Sequence, residues 1–169
     1  MKYLFFITLL LTIISCKEGK NHNKVIEGTL YIKLIDVNNI LYGLSDEDIE
    51  KFKNGIYNNG DDGGIVADRK FIEYHKILID NNIVKEPHFK LKIKDGKIIN
   101  VYTNEVEYKK LSKHLDNFDR EKEKIIIKFE GTKISDGVED PDNIFNQPIY
   151  TAKNIVSVNV QKGQTDWDK

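Results

Sequence analysis

Residues 89–102 read FKLKIKDGKIINVY, and this stretch decides the fold of the chain. Phe89, Leu91 and Ile93 alternate with lysines, which is the two-residue period of a strand that buries one face. The pair Asp95-Gly96 follows, and it favours the two positive φ angles of a type I′ turn. The stretch therefore predicts a β-hairpin.

The register of this hairpin contains one conflict. A two-residue turn pairs Lys94 with Lys97 and places Asn100 on the face of Phe89, where a β-bulge or a buried hydrogen bond would have to accommodate it. Lysines would gather on the other face. They could contact an anionic surface, but more simply they keep that face in water. The four lysines are Lys90, Lys92, Lys94 and Lys97.

The sequence on either side of the hairpin predicts three helices and further strands. Ser45 caps a helix that ends before Gly55, and Asn104 caps another whose apolar stripe includes Leu111. Gly28 interrupts an apolar strand face, which indicates a bulge or a close backbone approach. The predicted strands outside the hairpin cover residues 25–37, 40–42, 124–132 and 156–161, and the predicted helices cover residues 45–54, 68–80 and a segment that starts after residue 104.

The order of these elements predicts the fold class. Once the two helices inserted after the first strand are set aside, the order is β-β-β-α-β-β, with the helix from Asn104 between the third and fourth strands. This order resembles that of an OB-type barrel, although no residue motif supports the likeness, and a mixed α+β sandwich is the alternative. We therefore predict an α+β fold, with a mostly antiparallel sheet or OB-like barrel of about five strands and two to three helices.

The N-terminus has the pattern of a targeting segment. Lys2 is basic, residues 4–14 are apolar apart from two threonines, and the small Ser15 precedes Cys16. A helix of this length would rise roughly 16 Å, about half of a bilayer core, which is typical of a signal peptide rather than a membrane span. Ile13-Ile14-Ser15-Cys16 resembles the lipobox of bacterial lipoprotein signal peptides. An ordinary secretory peptide or an uncleaved anchor is the alternative.

The lipobox resemblance implies a diacylglycerol thioether on Cys16 and cleavage after Ser15. The chain would then comprise a signal peptide over residues 1–15, a polar tether over 16–24 and a single α+β domain over 25–169. Family sorting rules place an aspartate that retains some lipoproteins in the inner membrane where this chain has Lys17, so the outer membrane is favoured. The predicted membrane contact is the lipid on Cys16.

Composition excludes several classes of function. The formal net charge is −1, so no excess of positive charge would attract nucleic acid, and we predict no nucleic-acid partner. Cys16 is the single cysteine, and its acylation would leave no thiol for a disulfide, a nucleophile or a zinc site. No phosphate-cradling loop or dinucleotide motif occurs, so we predict no cofactor.

Two acidic segments and the histidines are candidate metal ligands. Residues 58–68 partly match the spacing of a calcium loop, but Gly60 and Arg69 stand at two essential ligand positions, which favours a plain acidic turn. Residues 136–143 are predicted to form a solvated loop. None of the histidines has a paired metal-binding spacing, so each is predicted to be a surface or half-buried structural residue. They are His22, His75, His88 and His114.

The sequence favours a lipid-anchored cell-envelope protein whose domain binds a ligand, or a protein partner in the envelope, without catalysis. Two alternatives remain open, namely a periplasmic hydrolase that uses Asp and Glu, and a membrane-held immunity or inhibitor protein. A pocket containing a carboxyl group of raised pKa would favour the hydrolase. A large exposed apolar patch would favour a protein partner.

Overall fold

The chain folds as α+β, and the described part contains five strands and three helices. The computed structural model describes residues 24–31, 46–54, 69–139 and 145–165. The elements are β1 Lys24–Tyr31, α1 Asp46–Lys53, α2 Arg69–Asp80, β2 His88–Ile93, β3 Ile98–Thr103, α3 Glu105–Leu115, β4 Glu123–Ser135 and β5 Ile149–Lys162. The strand predicted over 40–42 lies outside the described residues.

The five strands form one sheet that closes on itself in the order β1-β2-β3-β5-β4. β4 pairs back to β1, and every pairing is antiparallel except that of β3 with β5. With α3 between β3 and β4, this is the predicted α+β fold with a mostly antiparallel sheet of about five strands.

The inner face of the closed sheet forms the first core. Asn104 caps α3 by accepting a hydrogen bond from the Glu107 backbone N–H at 3.0 Å, as predicted. The helix then packs its apolar stripe, with Leu111 fully buried, against the strands. The fully buried members of this core are Leu91, Ile99, Val101, Leu111, Ile125, Ile127 and Phe129.

The hairpin exists, but its predicted type I′ turn is wrong. The Ile93 N–H donates to the Lys97 carbonyl, and of the turn residues only Gly96 has a positive φ, +84°. This is a three-residue loop with glycine in the left-handed position. The extra loop residue moves the register by one, so Asn100 pairs with Lys90 on the outer face and the conflict disappears.

Gly28 allows a close approach between β1 and β2, as the sequence indicated. A Cβ at this position would lie 2.9 Å from the Lys92 carbonyl oxygen. The last strand departs from its predicted simple alternation, because the register of β4 and β5 shifts between Lys128 and Phe129. The shift leaves Val156 exposed and buries Ile155.

A second core forms on the outer face of β3 and β5, where α2 packs. Asn100 and Tyr102 of β3 belong to that outer face, yet both are buried. The members of the second core are Ile49, Phe52, Phe71, Tyr74, Leu78, Ile79, Ile83, Val84, Tyr102 and Ile149. α2 therefore covers part of the outer face of the sheet.

Candidate binding cleft

A cleft of about 440 Å³ opens between the β2–β3 turn and the segment that leads into β5. Residues 96–98 line one side, Asp136 and residues 146–148 line the other, and together they define the binding cleft. This volume lies within the roughly 300–1,000 Å³ that is typical of small-molecule sites. The binding cleft is therefore large enough for a small polar ligand.

Pro148 explains why the sheet separates at this point. The Asn100 N–H donates to the Pro148 carbonyl at 2.8 Å, and Asn100 is the first β3 residue paired with β5. The next bond of a parallel ladder would run from the N–H of residue 148 to the Ile98 carbonyl. Proline has no N–H, so the ladder stops there, at the edge of the binding cleft.

Gln147, which lines the binding cleft, carries a buried amide oxygen. Its Oε1 is buried and has no hydrogen-bond partner within the described part of the chain. A buried acceptor without a donor is unfavourable by about 1–3 kcal/mol, so such groups are rare in folded proteins. The oxygen has almost no accessible surface, so a ligand in the binding cleft does not contact it in this arrangement.

The wall that carries Gln147 is held by the β4–β5 connection. The Val138 N–H donates to the Phe145 carbonyl at 2.9 Å, and the Gly137 N–H donates to Ser135 Oγ at 3.1 Å. Gly137 has φ +88°, and a Cβ there would lie 2.7 Å from the carbonyl oxygens of Phe145 and Gln147. Only glycine fits this approach, which fixes the position of residues 145–147.

The charges at the rim of the binding cleft are paired in opposite signs. Lys97 lies 3.5 Å from Asp95, and Lys133 is ion-paired with Asp136. All four side chains are exposed, so salt screens these pairs. The rim therefore presents no net charge to a ligand.

A buried aromatic cluster in the second core surrounds His75. Its Nδ1 lies 2.8 Å from the Phe71 carbonyl, and its ring contacts Phe52, Phe71 and Phe145. Burial lowers the pKa of His75 to about 4, against the opposing effect of that hydrogen bond. The imidazole is neutral at pH 7 and donates from Nδ1 to the Phe71 carbonyl, so its role is to complete the core.

Tyr74 and Tyr102 join α2 to β3 within the same core. Their hydroxyl oxygens lie 3.2 Å apart and are buried. Burial raises the pKa of Tyr74 to about 12, although the hydrogen bond to Tyr102 opposes the effect. The Tyr74 hydroxyl therefore stays protonated at neutral pH, which suits a structural hydrogen bond.

Among the described residues, the carboxyl groups with shifted pKa values are all stabilised in their charged form. A hydrogen bond from Lys110 and a second from the Ile155 N–H lower the pKa of Glu107. Lys122 lowers the pKa of Asp119, and Lys85 lowers that of Asp46. A lowered pKa is the opposite of what a general acid requires, so these groups give no support to the hydrolase alternative.

The structure separates the predicted site residues rather than gathering them. Cys16, residues 58–68 and His22 lie outside the described residues, and of the acidic segment 136–143 the structure describes 136–139, where Asp136 is exposed. The lysines do not share one face. Lys90 and Lys92 lie on the outer face of β2, whereas Lys97 pairs with Ile93, because the three-residue turn shifts the register.

The other histidines have separate surroundings. His75 is buried, so its prediction as a surface or half-buried residue is wrong. The cause is the aromatic cluster, which forms only when α2 packs on the sheet. His88 stacks on Tyr102 with ring centroids 5.0 Å apart, and His114 is exposed on α3.

Sequence reasoning missed Gln147 and Pro148. The predicted last strand began at residue 156, whereas β5 begins at Ile149. A proline just before a strand was the available signal, because proline ends a hydrogen-bonded ladder.

The described residues show few features of a metal or membrane site. In these ranges no three His, Cys, Asp or Glu side chains are grouped so as to hold a metal ion. Among the helices that the structure describes, none has the length and apolarity needed to cross a bilayer. Four exposed valines lie on three different elements, and single exposed apolar residues are ordinary on protein surfaces. They are Val25, Val106, Val156 and Val160.

Comparison with known proteins assigns no family to this chain. No family model matches the sequence, and no curated protein and no solved structure matches it significantly.

Proposed function

We propose that this chain is a lipid-anchored cell-envelope protein whose OB-like domain binds a ligand without catalysing a reaction. The anchor is the acylated Cys16 in the membrane, and the outer membrane is the favoured location. The proposal for the anchor is supported by the order of a basic start, an apolar run of signal-peptide length, and Ser15 before the cysteine.

One observation supports the binding role above the others. The binding cleft has the volume of a small-molecule site, and its lining combines the apolar Ile98 and Pro148 with the polar Gln147. A concave surface that combines apolar side chains with a few polar groups is typical of a recognition site. Among the described residues, the carboxyl groups with a shifted pKa are held in their charged form, which does not support an acid–base pair.

The anchor is tested by replacing the acylated residue. We expect Cys16→Ala to abolish incorporation of a labelled fatty acid and to leave the precursor uncleaved, because a thioether cannot form without the sulfur. Metabolic labelling and mass spectrometry of the N-terminus measure both effects. Unchanged labelling in the variant would refute the lipoprotein assignment.

A second substitution tests the favoured membrane. Lys17→Asp introduces the residue that retains some lipoproteins in the inner membrane, and it leaves Cys16 intact. We expect the variant to be acylated normally but to move to the inner-membrane fraction on density-gradient separation. If wild type and variant both band with the inner membrane, the outer-membrane placement is wrong.

The binding role is tested by photo-crosslinking in cells. A photoreactive residue at Ile98 should give a discrete crosslinked product, whereas the same residue at the exposed Lys85 should not. Equal products from both positions would contradict binding at the cleft. Turnover of a substrate that depends on Asp136 would contradict the non-catalytic role.

A further inference from the structure

We propose that the free edge of β5, from Ser157 to Lys162, pairs with the same edge of a second copy of this chain to form an antiparallel homodimer. The two-fold axis passes beside Asn159. This interface goes beyond the binding role proposed above, and it depends on neither the lipid anchor nor the binding cleft.

β5 is longer than the strand that pairs with it on one side. β3 pairs with β5 only along residues 149–152, whereas β5 continues to Lys162. α3 takes the place of β3 at the next position, because the Ile155 N–H donates to Glu107 and the Ile155 carbonyl accepts from Lys110. Beyond that point the described residues form no backbone hydrogen bond with this side of β5, which leaves the free edge open.

The β4–β5 ladder shows which backbone groups the free edge presents. The Gly163 N–H donates to the Lys122 carbonyl at 2.9 Å, and the register is regular along the whole free edge. Since bonding residues alternate in an antiparallel ladder, Asn159 bonds to β4, whereas Val158 and Val160 direct their N–H and C=O groups away from it. These outward groups are the ones with which a further strand would pair.

The free edge lacks the features that usually prevent strand pairing. Charged residues make up 31% of the chain, yet residues 154–161, which read NIVSVNVQ, contain none. They also contain no proline, and charged side chains and proline are common protections of an exposed edge. An exposed valine such as Val160 is ordinary by itself, but here the backbone beside it is unpaired as well. The combination favours a strand as the partner.

The residue pattern of the free edge is self-complementary, which favours a second copy over another protein. With Asn159 opposite its own counterpart, Val158 of each copy faces Val160 of the other, and their outward backbone groups meet. The two-fold axis makes this apolar pair occur twice. Lys162 then lies opposite Val156, so the two Lys162 residues are roughly 20 Å apart and no like charges meet.

Disulfide trapping tests the interface in the full-length protein, kept in detergent and treated with a mild oxidant. In Asn159→Cys the two Cα atoms would lie about 4.5 Å apart, which a disulfide can span, so we expect a covalent dimer on non-reducing gels. Gln161→Cys is the matched control on the same strand, because its Cα atoms would lie roughly 14 Å apart. The wild type, whose single cysteine is Cys16, is the blank.

A second variant tests the apolar pair without a crosslink. Val160→Lys places a charge where Val158 of the other copy packs, and it does so at both symmetric positions. We expect the dissociation constant from sedimentation equilibrium to rise about tenfold or more. Val25→Lys makes the same change at an exposed valine on β1 and should leave the dimer intact. Circular dichroism establishes that each variant is folded.

Three outcomes would overturn the homodimer or its location. Equal disulfide yields from Asn159→Cys and Gln161→Cys would exclude the proposed register. A monomeric wild type at high micromolar concentration, with no disulfide in Asn159→Cys, would exclude the dimer. A dimer that Val160→Lys leaves unchanged would place the interface elsewhere. None of these results affects the binding role, which the crosslinking at Ile98 tests separately.

Discussion

Acid should weaken the fold through His75. The imidazole is buried among aromatic rings, which lowers its pKa from the ordinary 6.5 to about 4. Between these two values the unfolded chain binds a proton that the folded chain does not. Stability is therefore complete above pH 6.5 and falls as the pH decreases toward 4.

The size of the effect follows from the two pKa values. Each pKa unit corresponds to about 1.4 kcal/mol, so the total loss at pH 4 is about 3 kcal/mol. Between pH 7 and pH 5 the loss is about 2 kcal/mol by the same linkage relation. Carboxyl groups of lowered pKa, such as Glu107 and Asp119, lose their contribution only at lower pH, so the window from pH 6.5 to 5 isolates the histidine.

The assay is urea unfolding followed by circular dichroism at several pH values. His75→Phe fills the site with a ring that does not titrate, and its stability should change little between pH 7 and 5. The matched control is His114→Gln on the exposed face of α3, which should keep the wild-type pH dependence. NMR titration of the His75 ring measures the protonation directly. A wild-type pH dependence that survives in His75→Phe would refute the reasoning, as would a His75 ring that titrates near pH 6.5.

Substitutions at the Tyr74–Tyr102 pair and at two glycines test the packing and the backbone. Tyr102→Phe removes the hydrogen-bond partner of the buried Tyr74 hydroxyl and should lower the free energy of unfolding by about 1–3 kcal/mol. Adding Tyr74→Phe should recover part of this loss, because no unpaired hydroxyl then remains buried. Urea unfolding in which the two losses simply add would contradict a hydrogen bond between the two tyrosines. Gly28→Ala places a Cβ against the Lys92 carbonyl and should cost about 1–3 kcal/mol, measured by thermal unfolding. In Gly96→Ala the new Cβ meets nothing within 4 Å, so only the positive φ is unfavourable, by about 1–2 kcal/mol. Gly96→Asn should be nearly neutral, because asparagine tolerates this φ. If Gly28→Ala destabilises the protein less than Gly96→Asn does, the close approach of β1 and β2 at Gly28 is wrong.

The elements with strong local signals were predictable. Each of these signals depends on residues that are close together in the sequence. They are the alternation in β2, the Asn104 cap and the apolar stripe of α3 through Leu111. The closed sheet was predictable only as one alternative, because element order does not fix which strands pair. The parallel pairing of β3 with β5 joins residues about fifty positions apart, and no local pattern records it.

The turn type and the burial of His75 failed for physical reasons that can be named. Asp-Gly fits both a two-residue and a three-residue loop, and the choice between them depends on which register buries the apolar face. Asn100 distinguishes the two registers, because the predicted register places it on the inner face of the sheet and the observed register places it on the outer face. His75 lies on a helix whose packing partner, the outer face of β3 and β5, exists only after the sheet has closed.

The binding cleft lies at the end of β3 where β5 no longer pairs with it. The outer face of β3 continues past Asn100 toward the hairpin tip; Asn100 and Tyr102 on that face are buried, whereas Ile98 is half-buried. Pro148 then stops β5 from pairing with Ile98, so neither the helix nor the neighbouring strand occupies the remaining space. Replacing Pro148 with a residue that has an N–H, as in Pro148→Ala, should let the ladder extend to Ile98 and narrow the binding cleft. The amide of residue 148 should then be protected from hydrogen exchange, and an amide that exchanges freely would show that the proline is not what ends the ladder.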